Sequence, residues 1–161
     1  MKVFKKNIIV ILVAILISSC SDNSDSNSVK QNVVLTFGWF ADGSCGGDCA
    51  QIYKIQDGKV YKDVDYNYPT GDNFEGNFQE VEKVNFKDYE SLLELPIQIY
   101  NEPNGYLDCP ECTNDWGGFY IEYQDDKGFH KSWRIRNAIY PDYVKNYRTL
   151  LLNKLAELNS L

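Results

Sequence analysis

The sequence predicts an α+β domain: a small antiparallel sheet of two hairpins plus an N-terminal strand, with two helices packed on one face. Three observations carry that expectation. Alternating apolar and polar residues flank two turn signals, Asp57-Gly58 and Asp125-Asp126-Lys127-Gly128. An apolar stripe at helical spacing closes the chain, and a run of β-branched and aromatic residues opens the body. At 161 residues with 43% hydrophobic and 24% charged side chains, the chain can bury one core and has no room for two.

Residues 33–40 (VVLTFGWF) are rich in β-branched and aromatic types and read as a buried strand. Gln51-Ile-Tyr-Lys-Ile-Gln then meets Asp57-Gly58 and Lys-Val-Tyr-Lys, the strongest short hairpin signal. In the second hairpin, alternation sends Phe119, Ile121 and Tyr123 to one face and Tyr120 and Glu122 to the other, before the Trp133 strand. Asn85 is placed to cap a first helix, whose apolar face is Phe86, Tyr89, Leu92 and Leu93 and whose stop is Pro96. The last helix is expected from Pro141. Its stripe is Val144, Tyr147, Leu151, Leu155 and Leu158, with Lys145, Arg148, Asn153 and Glu157 facing away.

The chain begins MKVFKKNIIVILVAILISSC. Three lysines precede an apolar run of ten residues, which as a helix would span about 15 Å, half of a bilayer core of roughly 30 Å. Such a segment reads as a signal peptide over residues 1–19. Residues 20–32 then read as a lipidated Cys20 and a flexible tether, SDNSDSNSVKQN, reaching at most about 40 Å. Residues 33–161 make the single α+β domain. Without the leader, thirteen basic residues face twenty-three acids. A body that acidic repels phosphate backbones, so no nucleic-acid partner is expected.

Four further cysteines stand in two pairs, Cys45-Gly-Gly-Asp-Cys49 and Cys109-Pro-Glu-Cys112. In an exported chain an even count points to disulfides, with three possible pairings. Four thiolates also suffice for a closed zinc site, which makes Cys45, Cys49, Cys109 and Cys112 the alternative metal ligands, though the first pair has three intervening residues rather than two. A redox dithiol needs a lowered thiol pKa, and Asp108, Glu111 and Asp115 beside the second pair oppose it. His130 is the sole histidine and reads as a solvent-facing strand residue; no serine stands in a nucleophile elbow. Asp63-x-Asp65-x-Asn67 imitates the start of a calcium loop, but Tyr68 and Phe74 occupy the positions that need Gly and Glu. Aromatics crowd residues 61–78, where Tyr66 and Tyr68 beside Pro69 suit a contact surface.

Ile17-Ser18-Ser19-Cys20 resembles the lipobox of bacterial lipoproteins, and the acids at Asp22 and Asp25 resemble the export signal of surface-displayed lipoproteins in Bacteroidota. Cys45-Gly-Gly-Asp-Cys49 before a Tyr-bearing hairpin, Cys109-Pro-Glu-Cys112 with Asp115-x-Gly-Gly, the Trp133 strand and the Pro141 helix resemble small exported Bacteroidota domains. The resemblance implies acylation at Cys20, attachment to the bilayer and an address in the cell envelope, at the outer membrane and displayed on its surface. It carries no catalytic residues. The functional expectation is a non-enzymatic binding or structural module for a protein, peptide or glycan, with no cofactor. The alternative is a cysteine-based zinc-binding or thiol-redox protein.

Overall fold

The computed structural model of the chain describes residues 32–41, 43, 48–107 and 117–161. The apolar run that opens the body forms β1, Val34–Phe40, most of it buried, and is the central strand of the sheet. Gly38 at its middle is required by closeness: a Cβ there would stand 2.2 Å from the Gln51 carbonyl oxygen on the next strand.

The first hairpin joins β2 (Ala50–Gln56) to β3 (Lys59–Asp63). Asp57 and Gly58 both take positive φ, 52° and 71°, the two-residue turn whose twist matches paired strands. Further along come the short strands β4 (Phe78–Glu80) and β5 (Gly105–Tyr106). The second hairpin follows as β6 (Gly118–Gln124) and β7 (His130–Arg136). In space the order is β4-β3-β2-β1-β6-β7-β5.

The α+β class therefore holds, with a sheet larger than two hairpins and one strand. Both additions are edge strands of two or three residues, and β5 runs parallel to β7, so the sheet is mixed rather than wholly antiparallel. Segments that short carry no alternation for a sequence to display. Their conformation comes from the partner strand: the Leu107 N–H, for example, donates to the Arg134 carbonyl at 3.0 Å.

In place of the expected first helix between Asn85 and Pro96 stand two 3-10 turns, Phe86–Asp88 and Glu90–Leu93, and a third, Ile97–Asn101, follows Pro96. Asn85 does cap the first of them, its side chain accepting from the Lys87 N–H at 3.2 Å. Pro96 lacks a donor and biases Leu95 toward extended backbone, so no continuous α-helix can deliver both Leu92 and Ile99 to the core. A further 3-10 turn, Asp142–Val144, follows Pro141 and leads into α1, Lys145–Asn159.

Val144, Tyr147, Leu151, Leu155 and Leu158 of this C-terminal segment share one core with Leu35, Phe37, Tyr53, Phe119, Ile121, Tyr123 and Trp133 of the sheet. The Tyr147 hydroxyl donates to the Leu92 carbonyl at 2.7 Å, tying α1 to the 3-10 turns. Arg148 departs from its expected outward position. Its guanidinium lies over the rings of Phe119 (5.0 Å) and Tyr140 (4.8 Å), and Nη2 donates to the Asn137 carbonyl.

Candidate functional site

The opposite face of the sheet divides into two halves. One half is apolar: Phe40, Ala50, Ile52 and Tyr120 form a second small core. The segment 64–77 between β3 and β4 crosses over it and covers it, adding Tyr68 and Phe74. A loop of that length has little regular backbone bonding of its own, so side chains of the sheet must satisfy it.

Three of them do. Asp63, 1% exposed, closes the base of the loop by accepting the Asn67 N–H at 2.7 Å and the Asn77 N–H at 2.8 Å. Arg134, 3% exposed, donates through Nη2 to the carbonyls of Pro69 and Gly71 at the far end. Its guanidinium also lies 5.4 Å from the ring of Tyr120 and 5.8 Å from that of Tyr106, which shelter the charge. Glu122 accepts the Phe74 N–H at 3.0 Å. Rings complete the seal, with Tyr68 edge-on to Phe40 at 5.3 Å and Phe74 against Tyr120 at 6.0 Å.

The other half of this face is an open cleft of about 800 Å³. Its floor is Thr36 of β1, Lys54 and Gln56 of β2, and Glu122 and Gln124 of β6. Its wall is the outer edge of the same loop, including Asp65, Asn67, Phe74 and Asn77, with Phe78 of β4. Strand register puts Lys54, Thr36 and Glu122 in one row across three strands.

Glu122 sits at the junction of the halves and is saturated by its own neighbours. Oε2 accepts from the Tyr120 hydroxyl at 2.8 Å as well as from Phe74, and Oε1 lies 2.7 Å from His130 Nε2. Burial, the Glu122 charge and this hydrogen bond all push the Tyr120 phenol above its ordinary range. It stays a donor. A carboxylate with three partners is a structural hub, poorly placed to exchange a proton with a substrate. Lys54 Nζ stands 4.4 Å over the Phe78 ring and 5.4 Å from that of Tyr61.

Several residues singled out by sequence find their place here. His130 is an exposed strand residue, as expected, and its Nε2 also lies 2.7 Å from Glu122 Oε1. Asp63 of the calcium-like motif has its oxygens turned to backbone N–H groups, and among the described residues no set of three His, Cys, Asp or Glu is arranged to hold a metal. Within the aromatic segment, Tyr68 is packed down, its hydroxyl donating to the Ala41 carbonyl at 2.6 Å. Tyr66, 38% exposed, is the ring of that pair left outward.

Cys49 precedes β2, its carbonyl accepting the Ala41 N–H at 2.7 Å, and it is disulfide-bonded. Cys20, Cys45, Cys109 and Cys112 lie outside the described residues, as does the apolar leader. Among the described residues no helix is long and apolar enough to cross a membrane.

The floor residues Thr36, Lys54, Gln56 and Gln124 were not marked by any sequence motif. Their only signal is alternation, the same that sends Glu122 to the far face, and alternation alone does not tell which half of a face is covered. No protein family matches the chain, and no curated protein and no solved structure is detectably similar to it.

Proposed function

We propose that this is an envelope lipoprotein, held to the bilayer through acylated Cys20, whose body is a non-enzymatic binding module. The observation that carries the binding reading is the open cleft beside the sealed half of the same sheet face. A loop that could have covered the whole face instead stops short and walls a polar trough. The saturation of Glu122 supports a role without catalysis, because that carboxylate is already fully engaged. On this reading the four body cysteines, Cys45, Cys49, Cys109 and Cys112, form disulfides that hold loops beside the strands, where cross-linking offsets the entropy of ordering them.

The test is a thermal-shift screen of the full-length protein against peptide and glycan libraries, beside Gln124→Trp, which places bulk at the rim of the cleft. A ligand at a hundred times its Kd stabilises by about 2.7 kcal/mol, a readable rise in Tm. A rise in the wild type that is lost in Gln124→Trp supports the module. Equal rises in both, or none with any ligand, count against it. Anchoring is checked separately: Cys20→Ser should move the protein from carbonate-washed membranes to the soluble fraction.

A further inference from the structure

Resting on the reading of the cleft as a binding site, we infer that its occupant is a neutral carbohydrate, one or two sugar units laid across β1, β2 and β6. The floor consists of the three central strands, each paired on both sides. Their backbone N–H and C=O groups are therefore consumed by the sheet. An extended peptide gains most of its affinity by adding to a free strand edge, and this floor offers none. Only side chains are available to a ligand here.

Those side chains have the bifunctional character that sugar hydroxyls require. The Thr36 hydroxyl and the amides of Gln56 and Gln124 each donate and accept. None of the three, nor the Lys54 ammonium, makes a side-chain hydrogen bond among the described residues, although all four line the cleft. Thr36 is 4% exposed, and its hydroxyl is not one of the buried polar atoms left without a partner, so what it exposes opens into the cleft. Strands about 4.8 Å apart, with same-face neighbours about 6.8 Å apart along each strand, place the four groups over a patch of roughly 10 by 7 Å. Phe74 and Phe78, packed against each other on the wall, add apolar surface beside these groups.

Charge narrows the class. Lys54 is the cation of the lining, and Asp65, Glu75 and Glu122 are its acids. Glu122 is taken up by His130, Tyr120 and Phe74, and Asp65 accepts from Asn77 Nδ2 at 3.3 Å. An anionic sugar would meet the acidic rim and the acidic body. A cationic ligand would meet Lys54 on the β2 side of the floor. A neutral polyhydroxylated ligand meets neither penalty and can accept from Lys54.

The experiment is isothermal titration of the full-length protein, in a detergent without a sugar headgroup, with maltose, cellobiose and chitobiose. Glucuronic acid and a neutral Ser/Gly peptide serve as the other arms. Saturable binding of at least one neutral disaccharide is expected, weakened about tenfold by Thr36→Val and again by Gln124→Ala, the loss of one neutral hydrogen bond in each case. Both variants should keep the wild-type Tm. Sugar binding that neither variant weakens would overturn the inference. So would binding of glucuronic acid or the peptide that is lost in Gln124→Trp, without binding of any neutral sugar; in that case the cleft remains a binding site and only its ligand class is wrong. If no probe binds, the carbohydrate inference falls together with the present support for the module.

Discussion

The two halves of the far sheet face are built from the same strands, yet they solve opposite problems. Under the loop, Asp63 and Arg134 are almost wholly buried: Asp63 accepts two backbone N–H groups of the segment that covers it, and Arg134 donates to that segment through Nη2 while its Nε has no partner among the described residues. In the open half, Lys54, Thr36, Gln56 and Gln124 are left without hydrogen-bond partners among the described residues. A buried polar group stabilises only when its bonds are made, and costs about 1–3 kcal/mol when they are not. The covered half is therefore where stability resides. The open half has its bonding capacity in reserve.

Alkaline pH tests this contrast most severely, because phenols lie in the packed regions and none lies on the cleft floor. Burial pushes Tyr53 from its ordinary value of 10 up to about 12, and lifts Tyr147 and Tyr120 as well. A folded-state pKa above the unfolded one gives stability that is complete below about pH 10 and is lost as pH rises through about 12. Cooperative unfolding is thus expected in that window by circular dichroism. Tyr120→Phe should lower the slope of stability against pH there by up to about one proton. An unchanged slope would mean that the Tyr120 phenol is not sealed by the loop.

Within the covered half, Asp63→Ala removes the acceptor that closes the loop base and strands two N–H groups. A loss of about 3–5 kcal/mol is expected in urea denaturation, from two hydrogen bonds to a charged group. A loss below about 1 kcal/mol would mean that the loop holds without its pin. Tyr68→Ala should cost about 2 kcal/mol, since it deletes both the contact with Phe40 and the bond to Ala41. Tyr66→Ala should cost less than about 0.5 kcal/mol, as exposed substitutions do. Equal effects at the two tyrosines would return Tyr68 to the surface.

The smallest change is expected on the cleft floor. Thr36→Val removes a hydroxyl that makes no bond among the described residues, so stability should stay within about 0.5 kcal/mol of wild type or rise. A loss above about 1 kcal/mol would show that the hydroxyl is already engaged.

Local pattern alone determined the hairpins and the final helix. Asp57-Gly58 specifies a positive-φ turn, and the stripe from Val144 to Leu158 has one apolar side. Alternation likewise sorted Phe119, Ile121 and Tyr123 from Tyr120 and Glu122, because side chains along a strand must point to opposite faces. Asn85 marked its cap correctly, although Pro96 and the spread of buried positions turned the helix behind it into 3-10 turns.

What only the tertiary structure decided depends on contacts distant in the chain. Asp63 reads as a metal-like acid until Asn77 is seen to donate to it from fourteen residues away. Arg134 reads as an ordinary strand cation until Pro69 and Gly71 are brought over it from sixty-five and sixty-three positions upstream. The same fold-back packs Tyr68 inward, leaves Tyr66 outward, and stops at Phe74 and Asn77, short of Thr36, Lys54 and Gln124. A sequence records which residues alternate. Where a loop lands, and which polar groups it leaves unbonded, follows from closure of the whole chain over its core.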